Sequence, residues 1–313
     1  MGSGGELATF FSVFQSGIVT SEGDIISGNI KHIIQRCHDE RFEEPLPLTV
    51  DPNKYPIYDE VFSMAVMWGA AFYHSNIDAL GRLIPYIPFL RKHPTIKIHT
   101  TWVWPKFAAK FLSGEGLTPD RFVHGIVRGK LVYVPASFLC HRPSFFPTHL
   151  LGLYMKATLP NDPSTRNTII VIRRTPQVKP HLRPRHFLNH DHIMMALKRL
   201  TERLKLTLWE FQDDPVPDIY MTAQMFNRAL IVIAPHGAGE VNLVFSQPGT
   251  VLIEGMCIRE FKAFSMAFRN LIHLQGGIYH GLYNAKQQCE DITAQEVIEP
   301  TILFLRSFGY FLP

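Results

Sequence analysis

Ile231-Val232-Ile233-Ala234-Pro235-His236-Gly237-Ala238-Gly239-Glu240-Val241-Asn242 is the stretch from which the rest of the chain can be read. Four aliphatic residues in a row, two of them isoleucine, suit a parallel strand buried on both faces. The strand empties into a turn where Gly237 and Gly239 let the backbone bend sharply and approach a ligand closely. An apolar helix is expected to start there. Its first N–H groups and positive dipole end would form an anion site, able to hold a phosphate without any side chain. His236 stands at the carboxyl end of the strand, where open α/β sheets bind their ligands. The same residues also suit an ordinary strand-to-helix turn whose histidine bonds to its neighbours, and a short glycine-rich turn does not separate the two.

Working outward, the second half of the chain alternates. Thr168-Ile169-Ile170-Val171-Ile172 reads as a buried strand, residues 191–204 as an amphipathic helix, 206–211 as a strand and 219–229 as a helix. Beyond the opening stretch, Val251-Leu252-Ile253-Glu254 reads as a strand, and another is expected near Leu271-Ile272-His273-Leu274. Strand and helix taking turns at this spacing mean a parallel sheet wrapped by helices. Right-handed crossovers would then align the strand carboxyl ends along one edge. Arg173, Arg174, His236, Gly237, Gly239 and Glu254 converge there.

The first half is less regular. Its opening 50 residues mix polar turns with Pro45 and Pro47, and Pro52 follows just beyond them. Residues 61–67 look strand-like, and Ser75-Asn76-Ile77-Asp78 has the form of a capping box that opens an amphipathic helix toward Leu90. Pro85 and Pro88 should kink or break that helix. Short strands are expected at 96–100 and 131–134, so this half also reads as α/β. Leu159-Pro160-Asn161-Asp162-Pro163-Ser164, rich in turn residues, is the best linker.

Composition sets bounds. A chain of 313 residues can bury two cores of ordinary domain size. Apolar residues make up 46% and charged residues 19%, which fits a well-packed enzyme and not a disordered or coiled-coil chain. The net charge of +4 comes without a dense Lys/Arg stripe. That argues against a nucleic-acid surface and suits an anionic small molecule. The 15 histidines are scattered and no Cys-x-x-Cys occurs; His186 and His190 alone have His-x-x-x-His spacing, too little by itself to gather a metal. Cys37, Cys140, Cys257 and Cys289 fit either buried thiols or disulfides, and fix no compartment. Met1-Gly2-Ser3-Gly4-Gly5 carries no signal-peptide pattern, and Glu6 stands where a myristoylation motif needs Ser or Thr. No apolar run reaches the ~18 residues of a membrane span, and no Asn-x-Ser/Thr sequon occurs.

An ordered series of residues carries a resemblance. Arg185-His186-Phe187-Leu188-Asn189, then Gln224, Pro235-His236-Gly237-Ala238-Gly239, Asn242, Pro248-Gly249 and Glu254 together resemble the catalytic domain of glycosyltransferase family 61. The match is best over residues 168–257. It extends more faintly to Tyr73-His74 and Asp78, similar to an aromatic-His pair and an acidic position in the family's N-terminal domain. The resemblance implies a GT-B-like α/β fold, with two Rossmann-like domains facing across a cleft. It implies an N-terminal acceptor-side domain over 1–160 and a nucleotide-sugar-binding domain over 165–290. A helix within 291–313 would pack back on the first domain. It further implies an inverting transfer of a sugar, xylose or N-acetylglucosamine, from a UDP-sugar donor to a hydroxyl of a glycan or glycoprotein acceptor. Location would be the Golgi or endoplasmic reticulum lumen, through a membrane anchor that this chain does not carry. One departure stands out: the residue after Gly239 is usually apolar in the family and is Glu240 here. A carboxylate near a diphosphate opposes it unless it points away or meets a cation. The favoured expectation is an exposed residue in the helix's first turn.

The chemistry asks for charge on the leaving diphosphate, a base for the acceptor hydroxyl, and order between the two substrates. Arg173 or Arg174, following a buried strand, can offer a donor fork suited to phosphate, and the alternation does not choose between them. His236, Gly237, Ala238 and Gly239 form the turn. Asn242 and Glu254 are candidates for hydrogen bonds to phosphate or ribose, Glu254 having a strand-end structural role as its alternative. For the base, His74 comes first because imidazole as a class titrates near neutral pH, and Asp78 is the other candidate, unless it only caps the helix. Gln224 is expected to hold the second domain together. No cofactor is expected, with a divalent metal as the less favoured alternative. Asp213-Asp214 resembles an acidic cation pair but, next to Pro215, reads more simply as a turn. A serine esterase reading fails for want of a Gly-x-Ser-x-Gly elbow. The stronger rival is a catalytically inactive, nucleotide- or glycan-binding member of the same fold.

Overall fold

The computed structural model describes residues 11–28, 30–34, 52–101, 112–136, 143, 145–157, 159, 166–175, 186–256, 266–283 and 292–311. The four cysteines, Arg185 and most of the turn-rich stretch at 159–164 lie outside them. The chain divides into two units, Met1–Tyr154 and Met155–Pro313.

The first unit is built on β1 (Phe11–Val19), β2 (Ile25–Ser27), β3 (Ile30–His32), β4 (Ile57–Ser63), β5 (Lys97–Thr100), β6 (Phe122–His124) and β7 (Val127–Pro135). They form one mixed sheet in the order β3-β2-β1-β7-β4-β5-β6. Strands β7, β4, β5 and β6 run parallel, whereas β1 lies antiparallel to β7 and continues into the β1-β2-β3 meander. That meander was hidden in a segment whose polar turns dominate its reading. Much of β1 is exposed; Val19 is buried in the core and Phe14 packs against it. The strand expected at 61–67 ends at Ser63. Met64, Ala65 and Val66 stay buried but leave the sheet: the Val66 N–H bonds to Thr101 Oγ1 at 2.9 Å, and Arg82 holds the Ala65 carbonyl at 2.6 Å.

The helical segment after β4 also differs from its expectation. The Ser75 N–H bonds to the Ala71 carbonyl, so the helix is already running and Ser75 does not cap it. His74–Ala79 is a π-helical stretch leading into α1 (Leu80–Leu83). Pro85 and Pro88 lie in a 3-10 turn at Ile84–Tyr86 and at the start of α2 (Ile87–Lys92), a local tightening at the place where a kink or break was expected. Helix α3 (Phe145–Lys156) runs through the division between units.

The second unit follows the alternation closely. Strands β8 (Thr168–Arg173), β9 (Thr207–Gln212), β10 (Ala229–Pro235), β11 (Val251–Gly255) and β12 (Ile278–Leu282) form an all-parallel sheet in the order β12-β11-β10-β8-β9. Every residue of central β10 is buried, as its aliphatic run demands. One face of the sheet, with Ile169, Val171, Ile231, Ile233 and Ile253, packs on Ile193 and Leu197 of α4 (His190–Leu204). The sequence turns back through α5 (Ile219–Asn227), capped by Asp218, whose carboxylate accepts from the Tyr220 and Met221 N–H groups. Gln224 on this helix is exposed, which removes the cohesive role expected of it.

Leu271–Leu274 is not a strand. It ends α6 (Ala267–Leu274), whose buried residues Ala267, Phe268, Leu271 and Ile272 recur at helical spacing, and the strand follows it as β12. Four apolar or near-apolar residues are too few for periodicity to tell helix from strand. The terminal helix α7 (Ala294–Ser307) opens with a capping box between Thr293 and Glu296. Its Val297 and Leu305 join the core formed with α4 and the sheet of its own unit. Among the described residues, no helix is long and apolar enough to cross a membrane.

Candidate functional site

Among the described residues, each unit carries a cluster of buried, chemically capable side chains. In the second unit the parallel register sets β10 and β11 level, with Ala234 opposite Glu254 and Pro235 opposite Gly255. His236 therefore leaves β10 just beyond the end of β11, and its N–H bonds to the Gly255 carbonyl at 2.9 Å. His236 Nδ1 meets Glu254 Oε1 at 2.5 Å, with both side chains buried. Glu254 thus fixes the histidine ring; its strand-end structural role is the one observed, and the carboxylate is not presented at the surface for a ribose. Asn242 is likewise engaged: its Nδ2 donates to the Gly239 carbonyl at 2.9 Å and holds the turn closed.

The two arginines separate. Arg173 is half-exposed and faces Glu210 at 3.3 Å and Asp191 at 3.8 Å. Arg174 turns the other way, and its Nη1 donates to the His236 carbonyl at 2.8 Å. Its guanidinium lies so close over Gly237 that a methyl group on that residue would overlap it. Gly237 is extended, with φ 166°, so the close approach and not the backbone conformation calls for glycine here. A Cβ on Gly239 would stand 3.0 Å from Ile172 Cγ2, a tight contact against the sheet.

The turn opens a 3-10 helix, Ala238–Phe245, where an α-helix start was expected. Glu240 occupies its first turn but is fully buried, contrary to the exposed position expected of it. Its Oε2 accepts the Gly237 N–H at 2.7 Å, so that donor is satisfied within the protein and is not offered to an anion. Burial, reinforced by the neighbouring Glu254, raises the Glu240 carboxyl well above the usual carboxylate range, with the Gly237 N–H and Arg174 opposing. The significance of Glu240 was not legible beyond its being unusual in type. Asp213 serves the local turn: its Oδ1 accepts from the Thr175 N–H and hydroxyl at 2.9 and 2.7 Å.

In the first unit, His74 and Asp78 come together on one helical face. The His74 Nδ1–H donates to Asp78 Oδ2 at 2.8 Å, and both residues are buried. The rings of Trp68 and Tyr73 lie 5.5 and 5.3 Å from the His74 ring. Below Asp78 sits Arg82, fully buried, donating to the Ala65 and Pro135 carbonyls at 2.6 and 2.9 Å. Burial lowers the Arg82 guanidinium to about 10 while the Asp78 charge supports it. Burial also pushes the Tyr73 phenol well above its usual value, and Asp78 adds to that shift. Asp78 is therefore a partner of His74 and not a helix cap. The missed elements here were Arg82 and Trp68, whose roles depend on the fold of residues distant in sequence.

One α/β unit thus holds a parallel sheet with a glycine turn at its carboxyl edge, and the other an oriented acid–histidine pair. The family Glycosyltransferase 61 matches residues 72–253, more than half of the chain. The protein belongs to glycosyltransferase family 61, and is a glycosyltransferase acting between a sugar donor and a glycan acceptor. The matched span contains His74, Asp78, Arg174 and the whole glycine turn. No curated protein matches the chain as a relative.

Proposed function

We propose that the protein is an inverting transferase that moves xylose or N-acetylglucosamine from a UDP-sugar to a hydroxyl of a glycan or protein. The observation that carries this reading is Arg174, held against the His236–Gly239 turn at the carboxyl edge of the parallel sheet. A guanidinium at that place offers a fork of donors to a diphosphate. In the reaction, the His74 imidazole, oriented by Asp78, takes the proton of the acceptor hydroxyl. The acceptor oxygen attacks the anomeric carbon from the face opposite the nucleotide. The bond from that carbon to the β-phosphate oxygen breaks, and UDP leaves with its charge balanced by Arg174. This division of labour requires the two units to face each other across a cleft, as in the GT-B arrangement. The same reading places the protein in the Golgi or endoplasmic reticulum lumen.

A second reading is favoured by one specific feature: Glu240 occupies a backbone donor of the turn and adds a carboxyl to it. A member that binds nucleotide or glycan without turnover would tolerate this. Calorimetric titration with UDP, UDP-xylose, UDP-N-acetylglucosamine and UDP-arabinose tests the first reading. Saturable binding lost in Arg174→Ala and His236→Ala supports it, whereas a folded protein that binds none of them overturns it. Release of free UDP from the donor separates the enzyme from the binding module.

A further inference from the structure

We propose that His236, Glu240 and Glu254 form a site for a first-row divalent cation, Mn2+ or Zn2+, beneath the glycine turn of the second unit. One ring nitrogen of His236 and one carboxylate oxygen from each glutamate all lie within 4.8 Å of one another. Bonds of about 2.1 Å to a tetrahedral ion place ligand atoms about 3.4 Å apart, so side-chain adjustments of roughly an ångström complete the set. The ion would replace the hydrogen bond between His236 and Glu254.

Burial supplies the independent argument. Glu240 and Glu254 are each 0% exposed and His236 is 7% exposed. Two carboxyl groups withdrawn from water beside each other are costly unless something positive joins them. Glu240 Oε2 and Glu254 Oε1 have the partners described above, but Glu240 Oε1 is buried with no hydrogen-bond partner among the described residues. It is the kind of orphaned acceptor that a cation satisfies. The Tyr279 phenol, raised by burial and by Glu254, faces the second carboxylate.

The donor set is mixed. One imidazole nitrogen suits zinc and its neighbours, and two carboxylates suit harder ions such as manganese. Two carboxylates also balance a charge of +2. The surroundings hold the ligands in place. The β11 register carries Glu254, the Gly237 N–H holds the Glu240 carboxylate, and Arg174 grips the carbonyl of His236. The Phe268 ring, 5.2 Å from the His236 ring, closes one side with an apolar wall.

The inference concerns metal binding alone and does not depend on the transferase reading. The full chain is stripped with a chelator, desalted, and titrated with Mn2+ and separately Zn2+, without nucleotide. One ion per chain is expected, with loss of the free Mn2+ paramagnetic signal. Glu254→Gln and Glu240→Leu should each weaken it by more than about tenfold. The leucine variant removes the buried carboxyl and adds no polar group, and circular dichroism checks that it folds. Asp213→Asn, whose carboxylate ties the 213–215 turn, should bind like the wild type. Failure of the wild-type chain to take up either ion, or equal uptake by folded Glu240→Leu, overturns the proposal.

Discussion

His74 and Asp78 sit four residues apart on one π-helical stretch, with Nδ1 2.8 Å from Oδ2 and both side chains buried. The carboxylate fixes which ring nitrogen carries the proton and stabilises the imidazolium that forms when the other accepts one. Asp78→Asn keeps the shape and removes that stabilisation. Sugar transfer should fall by about 10²–10⁴-fold in kcat, with donor KM little changed. A helix-capping role would instead lower thermal stability and leave the rate of the folded enzyme intact.

Arg173 and Arg174 are adjacent in sequence and different in kind. Arg174→Ala should weaken UDP binding by at least about tenfold, since it removes a charged donor from the turn. Arg173→Ala should leave UDP affinity unchanged and alter stability by no more than about 1 kcal/mol, because its ion pairs with Glu210 and Asp191 are solvated. Calorimetry on both variants decides it; equal losses would remove Arg174 from its assigned place.

Gly237→Ala probes the same contact from the backbone side. The extended backbone at Gly237 accepts alanine, but the added methyl overlaps the Arg174 guanidinium. The arginine must swing away, so the variant should fold and lose UDP affinity to about the extent of Arg174→Ala. The double variant should be no worse than either single one, a non-additivity expected of two changes that remove one interaction.

What the sequence revealed depended on how locally each feature is determined. The runs at 168–172 and 231–234 are rich in β-branched residues, which favours buried strands over helix, and the parallel sheet follows from their alternation with helices. Leu271–Leu274 was misread because a short apolar run fits either period. The box at Ser75–Asp78 had the right residue types in the wrong place, since the helix had begun upstream at residues the pattern did not mark. At the candidate site, the glycines and His236 were visible as a motif. The choice of Arg174 over Arg173, the pairing of His236 with Glu254 and the burial of Glu240 all depend on strand register, which no single segment encodes.

His99 offers a pH test of the first unit's core. It is buried on β5, where Nε2–H donates to the Gly125 carbonyl at 2.7 Å and Nδ1 lies 3.2 Å from the Ser63 hydroxyl, which donates to it. Desolvation lowers this imidazole from 6.5 to about 4, against the opposing Gly125 bond. The unfolded chain therefore binds a proton that the folded chain refuses between those values. The contribution is fully present above pH 6.5 and is lost as pH falls toward 4, amounting to about 3 kcal/mol at most. His99→Gln keeps a polar side chain at this position without a titrating ring. Chemical unfolding of both proteins at pH 7 and pH 5 should show the wild type losing more stability than the variant on acidification; equal losses would mean that His99 is protonated in the folded state.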